Sequence, residues 1–360
     1  MNFSEATGFE ALLHSLEQCR KGKLWKASVA HFYLNGAYEC MRLEQEIRSG
    51  TYKPRKPHTF TLTYPKVRPC SSTHIRDRVV QRSLNDNVIY PAMTRSFIYD
   101  NMACQNGKGT TCAMDRLNRM LRRWFIHHGG NVGYVLQFDV EGYYRTMRHD
   151  IALECFSKHL DAETVEHAME WLQRQYPYDV GFEPGSQMVQ ILGISMLDRF
   201  DHIVKEQLRV RNYLRYMDDG ILLSEDPDQL AAWRDVLAEE LARIGMHFHA
   251  EKTRIYPIRD GIRILGFTFL LTDTGKVVRL IDPKNVKHER KKLYRMAQLV
   301  RRGEMSVRKF WECYTSWKAH AALGNTWRVQ MRMDQYVKSL MEGIYERNRN
   351  KDPRKDRSGE

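Results

Sequence analysis

The chain has 360 residues, 42% of them hydrophobic and 28% charged, enough for one large packed domain or two to three smaller ones. Lys and Arg number 57 against 44 Asp and Glu, a formal charge of +13, which favours a polyanionic partner and makes nucleic acid the first to consider. The N-terminal MNFSEATGFEALLHSLEQC is no signal peptide, no window approaches the roughly 18 apolar residues of a membrane span, and the seven dispersed cysteines hold no CxxC pair, which speaks against zinc ribbons and disulfide frameworks and for reduced thiols in the cytoplasm.

Residues 1–50 read as helical, with a break near CRKGKLWK. HTFTLTYPKVRPC (58–70) alternates and carries β-branched residues, so strands are expected there. THIRDRVVQRSLNDNVIYPAM (73–93) reads as one helix with Ile75, Val79, Val80, Leu84 and Ile89 on its apolar side. A Gly-rich loop, NGKGTT (106–111), leads into a helix from about Thr111 to His127. NVGYVLQFDVEGYY (131–144) begins as a strand and ends on an acidic residue. Two helices follow, near 148–160 and 162–174, and an apolar helix spans about 187–206.

NYLRYMDDGILLSED (212–226) reads as strand, tight turn, strand, with Asp218, Asp219 and Gly220 as the turn. Asp226 caps the next helix, Pro227 sits at its first position and Gly245 ends it. Leu230, Trp233, Val236, Leu237, Leu241 and Ile244 form its apolar stripe. Short strands are expected near 253–258 and 262–271. From Asp282 the chain is helical and very basic, and the last residues, RNRNKDPRKDRSGE, contain no core formers and read as a disordered tail. The order is mixed α+β built on hairpins, which argues against a doubly wound nucleotide-binding sheet.

Two adjacent carboxylates, Asp218 and Asp219, between apolar runs repel one another and are costly to bury unpaired. A strand ending in Asp139 and a hairpin carrying Asp218-Asp219 can lie side by side in one antiparallel sheet, so that the three carboxylates converge. Such a cluster is tolerable where it holds divalent cations. Mg²⁺ takes carboxylate oxygens and leaves positions open for substrate phosphates. Two ions about 4 Å apart activate an attacking 3′-hydroxyl and steady a leaving pyrophosphate.

YMDD followed by GILL resembles the central catalytic motif of reverse transcriptases. Other blocks are similar to that family's in order. They are KVRPCSSTHIRDRVVQ (66–81), QNGKGTTCAMDRL (105–117), FDVEGYYRTMRHD (138–150), EPGSQMVQILGISMLDRFDHIVKE (183–206), GMHFHAEKTRI (245–255), RILGFTF (263–269) and SWKAHAALGNTW (316–327). The resemblance is to stand-alone bacterial enzymes of the group II intron-like, diversity-generating and phage-defence types. It implies a right-hand polymerase fold. The expected division is an N-terminal helical extension (1–60), fingers (61–130), a palm with an antiparallel sheet (131–272, with a fingers insertion around 148–180), a helical thumb (273–345) and a basic tail (346–360).

By the same resemblance, Asp139 and Asp218 are bridging metal ligands, Asp219 a weaker third, and the Val140 carbonyl a further ligand. Lys66 and Arg68 grip the triphosphate, Arg as a fork and Lys as a point charge. Tyr144 packs under the sugar and leaves no room for a 2′-hydroxyl, one of Tyr143 and Tyr144 being a core aromatic. Gly185 and Gln190 line the nascent base pair, although Val189-Gln190 stands where the family commonly has Ser-Gln. Lys252 is either a proton donor to pyrophosphate or a surface lysine. Leu265, Gly266 and Phe267 place the primer terminus, or form a strand with a close backbone contact. The basic helices after residue 284, including KHERKKLYRMAQLVRRGEM, track an RNA–DNA hybrid, whereas Trp311, Tyr314, Trp317, Trp327 and His320 read as thumb core.

The implied activity is RNA-directed DNA synthesis, a nucleotidyl transfer with two Mg²⁺ ions, for which Mn²⁺ substitutes. The implied partners are an RNA template (a structured non-coding RNA), a DNA primer and product, and dNTPs. An accessory protein and a homo- or hetero-oligomer are compatible with it, and no membrane is involved. No RNase H, maturase, endonuclease or integrase segment is expected in the remaining length. The expected setting is phage defence, with diversity generation as the alternative. A silent RNA-binding scaffold is disfavoured by the intact aspartates, while an untemplated or protein-primed nucleotidyltransferase on the same palm stays open.

Overall fold

The computed structural model describes residues 1–62 and 67–351, and for Arg68 and 343–351 the backbone alone. Two compact units emerge, one built from Met1–Ala113 with Leu136–Ile255, the other from Met114–Val135 with Tyr256–Glu360. No described helix is long and apolar enough to cross a membrane. All seven cysteines are free.

The first unit opens with four helices, α1 (Phe3–Ala6), α2 (Phe9–Arg20), α3 (Ala27–Leu34) and α4 (Gly36–Arg48). The expected break falls between α2 and α3. Strands β1 (His58–Leu62) and β2 (Arg68–Ser72) then pair antiparallel, with Leu62 opposite Arg68. The expected single helix over 73–93 is interrupted. Helix α5 (Ile75–Leu84) widens into a π turn at Asn85–Ile89 before α6 (Tyr90–Met93). Pro91, which has no backbone N–H to give to a preceding turn, stands beyond the widened segment with one residue, Tyr90, between.

Helix α7 (Thr110–His128) leads to β3 (Tyr134–Asp139). A single turn, α8 (Tyr143–Thr146), precedes α9 (His149–Ser157) and α10 (Ala162–Gln175), the last capped by the Asp161 carboxylate on the Thr164 amide. The expected helix over 187–206 is instead α11 (Gln187–Met196), α12 (Asp198–His202) and a π turn at Ile203–Gln207. It breaks at Leu197, whose φ of −101° and ψ of 13° leave the helical region.

Strands β4 (Tyr213–Tyr216) and β5 (Asp219–Ser224) form the hairpin. They join β3 and β6 (Arg254–Pro257) in a sheet ordered β4-β5-β3-β6. Between β5 and β6 runs α13 (Pro227–Arg243), with Asp226 as cap, Pro227 at its start and Gly245 beyond its end at φ +77°. Its buried side is narrower than expected. Leu230, Leu237, Leu241 and Ile244 are buried, while Val236 is exposed.

The second unit holds a sheet ordered β7-β8-β9, from β7 (Ile262–Ile264), β8 (Phe267–Leu271) and β9 (Val277–Ile281). The sequence reading did not include β9. Its burial does not alternate cleanly, so no period-2 pattern marks it. Asp282 then caps α14 (Pro283–Arg301), followed by α15 (Val307–Ala321) and α16 (Trp327–Lys351). Helix α16 therefore runs past the start at 346 expected for the tail, and 352–360 lie outside the described residues. Tyr314 and Trp317 are buried between these helices as expected, but Trp327 is a correction, because it opens a helix and is 70% exposed.

Candidate active site

The β4–β5 connection is tighter than the sequence suggested. Tyr216 pairs with Asp219, so Met217 and Asp218 alone make the turn and Asp219-Gly220 already belong to β5. Met217 takes φ +57°, an unfavourable conformation for a side chain of its kind. Arg215 holds it there. Its guanidinium donates from Nη1 to the Met217 carbonyl at 2.8 Å, and forks from Nε and Nη2 onto the two Asp201 oxygens at 2.7 and 2.6 Å. Both partners are fully buried, and the Tyr213 hydroxyl donates to the same carboxylate at 2.6 Å. Gly220 is not a turn glycine. A Cβ there would collide with the Phe138 ring of β3, so its small size lets β5 lie flat against β3. The Val140 amide donates to the Asp218 carbonyl at 3.1 Å, which joins the hairpin tip to the end of β3.

This brings Asp139, Asp218 and Asp219 to one end of the sheet, where β3 finishes and β5 begins. Asp219 is pushed up to about 7, first by burial, then by the negative charges of Asp218 and Asp139 and a hydrogen bond shared with Asp139, with Lys252 acting against them. Burial, with the charge of Asp218 among the lesser causes, also raises the Tyr143 and Tyr144 hydroxyls. Lys252 sets its ammonium 2.6 Å from Asp139 Oδ1. The backbone frames the pair, with the His249 amide on the Asp139 carbonyl at 2.8 Å and the Glu141 amide on the His247 carbonyl at 2.9 Å.

Among the described residues no group of three His, Cys, Asp or Glu side chains stands ready-made to hold a metal ion. The carboxylates meet, but Asp139 is already engaged twice, by the Lys252 ammonium and by a hydrogen bond shared with Asp219. The donor chemistry still fits a hard divalent cation. The donors are carboxylate oxygens, and burial together with the charge they accumulate pushes one of them, Asp219, up to about 7.

The remaining expected residues fall as follows. Tyr143 is the core aromatic of its pair, and its hydroxyl donates to the Gly193 carbonyl. Tyr144 is half-buried, its ring 5.5 Å from that of Tyr143. A Cβ at Gly185 would strike the Ser71 carbonyl, a close approach of two backbones. Gln190 lies on α11 and lines a cavity of about 300 Å³ together with Gly185 and Arg82, while Val189 is fully buried. Leu265 and Gly266, at φ +54° and +83°, make the two-residue turn between β7 and β8, where Ile264 pairs with Phe267. The Phe267 ring lies 5.1 Å from His320. Arg68 stands in β2, but its side chain and the whole of Lys66 lie outside the described residues.

The sequence reading missed Arg215 and Asp201. The signal was present: a charged residue inside an apolar strand needs a buried partner of opposite sign, and DRFDH supplies one.

The family of reverse transcriptases (RNA-dependent DNA polymerases) matches residues 54–269, more than half of the chain. Among solved structures, a telomerase from Candida albicans in complex with a fragment of telomeric RNA is similar at 10% identity and a TM-score of 0.47, covering 73% of this chain and 55% of that one. An apo telomerase from Candida tropicalis is similar at 12% identity and a TM-score of 0.46, covering 81% of this chain and 62% of that one. A C-terminally truncated form of it is similar at 11% identity and a TM-score of 0.46, covering 62% of this chain and 55% of that one. This chain thus spans about 55 to 62% of the length of those telomerases. No curated protein matches it. With its mixed helices and antiparallel sheets, its hairpin aspartates and Asp139 within the matched span, the chain belongs to the reverse transcriptase (RNA-dependent DNA polymerase) family and has that family's right-hand α+β fold.

Proposed function

We propose that this chain extends a DNA 3′-end with dNTPs on an RNA template, using divalent ions held by Asp139, Asp218 and Asp219. The observation that supports this most is the meeting of three carboxylates, one from the end of β3 and two from the β4–β5 hairpin, in a chain of this family. Asp139 and Asp218 would be the principal ligands, aided by the Val140 carbonyl. Asp219 is the weaker ligand, because burial and the neighbouring carboxylates make its own carboxyl hold its proton. Two Mg²⁺ ions, when bound, would supply the positive charge that activates the 3′-hydroxyl and stabilises the leaving pyrophosphate.

The protein's own residues do the rest. Lys66 and Arg68 bind the triphosphate. Tyr144 bears on the sugar, and Gly185 and Gln190 border the nascent base pair. Leu265, Gly266 and Phe267 set the primer end. Lys252 leaves Asp139 and gives its proton to the pyrophosphate oxygen. For the biological setting we propose copying of a structured non-coding RNA in phage defence. The reading draws on the departure at Val189, where a buried apolar side chain stands in place of the usual serine.

The test is to purify the protein with its co-bound RNA, add labelled dNTPs and Mg²⁺, and sequence the product. DNA complementary to the bound RNA, lost when Asp218 and Asp219 are both alanine, is the expected result. Product that persists after RNase removal of the RNA would replace this reading with untemplated synthesis. A product copied from a variable-repeat transcript would move the setting to diversity generation.

A further inference from the structure

The cavity beside Gln190 is polar, and three cations line it: Lys23 from the turn after α2, and Arg78 and Arg82 from α5. Among the described residues no carboxylate pairs with Lys23, and its ammonium is held below the usual lysine range by burial and by Arg78. Arg78 donates only to neutral acceptors, the Ser72 hydroxyl at 3.1 Å and the Thr73 carbonyl at 3.2 Å. Arg82 lies 3.0 Å from Asp86, but not aligned for a hydrogen bond, and its buried Nε is left without a hydrogen-bond partner. Three like charges around one cavity with a single carboxylate among them make a socket for an anion.

Two residues from Lys23, Trp25 is 79% exposed. Its indole N–H donates to the Gly22 carbonyl at 3.2 Å, and the Lys26 ammonium lies 5.2 Å from its ring centroid. An exposed, tethered indole next to a cationic socket is the combination that binds unpaired nucleic acid, by stacking a base while cations track the phosphates. A free nucleotide triphosphate would need the socket but not the indole of the neighbouring turn. Lys23 and Trp25 precede the span matched by the family at residues 54–269, while Arg78 and Arg82 lie within it.

We propose that the turn Lys21–Lys26 and helix α5 form a track for a single RNA strand, with Lys23, Arg78 and Arg82 seating a phosphate and Trp25 stacking on a base. The strand is the unpaired template, so the assignment rests on the polymerase reading above. The experiment uses the full chain and two probes, a fluorescein-labelled 12-nucleotide oligo(U) RNA followed by anisotropy across KCl concentrations, and dTTP with Mg²⁺ followed by calorimetry. Lys23→Ala is expected to weaken RNA binding and to lower the slope of log K against log[KCl] by about 0.7, the value for one lost phosphate contact on a single strand. Trp25→Ala is expected to weaken it about 5- to 100-fold with the slope unchanged, as loss of a stacked base does. Unaltered RNA affinity in both variants overturns the track, and a loss confined to dTTP reassigns the socket to the incoming nucleotide and overturns it equally. dNTP incorporation by the unmodified chain on an annealed template–primer is measured separately, so failure of the polymerase reading shows there and not in the RNA titration.

Discussion

Lys252 and Asp139, separated by 113 residues, meet at 2.6 Å at the end of the sheet where the hairpin aspartates lie. The lysine side chain is 45% exposed and the aspartate 15%, so the pair is a half-solvated bond that can be exchanged. The ammonium occupies a carboxylate that a divalent cation also wants. Lys252→Met should therefore act in two opposite directions. Mn²⁺ should bind about two- to fivefold more tightly, the worth of an exposed ion pair no longer competing. Nucleotide addition should slow about 100-fold through loss of the proton donor. A Mn²⁺ titration by electron paramagnetic resonance and single-turnover incorporation read the two separately. Weaker Mn²⁺ binding would show that the lysine supports the acidic site instead of competing for it.

Asp219 gives the metal-free protein a pH dependence whose sign follows from its shift. The folded carboxyl sits at about 7 against an ordinary 3.8, so the folded state binds the proton more tightly than the unfolded one. The resulting cost is absent below about pH 4, grows between the two values and is complete above about pH 7. Three units correspond to a ceiling of about 4 kcal/mol, which partial solvation lowers. Asp219→Asn should raise the melting temperature in EDTA at pH 8, with the gain vanishing towards pH 4. Thermal unfolding across that range measures it, and a gain independent of pH would refute the assignment.

How far the site could be read from the sequence depended on the kind of cause. The strands other than β9, the Asp226-Pro227 helix start and the convergence of Asp139 with Asp218-Asp219 were legible, because alternation, capping chemistry and a motif express them locally. The turn was placed one residue late at its start and two at its end, because DDG has the composition of a turn while the true reason for Gly220 is the Phe138 ring on a neighbouring strand. The break at Leu197 carries no local mark of its own in an apolar run, and the π turn at Asn85–Ile89 is marked only by the polar NDN stretch and by Pro91 beyond it. Arg215 was passed over because its partner Asp201 lies on a helix turn that only the fold brings to it.

That buried pair carries the next prediction. Asp201→Ala leaves a guanidinium with no counter-charge in the core, and should cost about 3–5 kcal/mol in urea unfolding. Replacing Asp201 and Arg215 together by Leu and Met should recover most of that loss, since two apolar side chains can fill the space. DNA synthesis should nevertheless stay impaired in the double variant, because the Met217 carbonyl loses the donor that holds it at positive φ and the Asp218 side chain next to it loses its placement. Full activity in the stable double variant would show that the turn holds its shape without the arginine.

Tyr143 and Tyr144 are adjacent but differently buried. Tyr143 is 4% exposed and bonds the Gly193 carbonyl, so Tyr143→Ala should chiefly lower stability, by about 3–5 kcal/mol. Tyr144 is half-buried, with its hydroxyl raised by burial and, more weakly, by Cys104 and then by the Asp218 charge. Tyr144→Ala should leave the fold intact and let ribonucleotides in, reducing the preference for dNTP over NTP in kcat/KM about 10- to 200-fold, the range a shaped pocket provides. Tyr144→Phe should keep the preference, since exclusion by a ring does not need the hydroxyl. If the alanine variant still rejects ribonucleotides while extending normally with dNTPs, Tyr144 is not what screens the sugar.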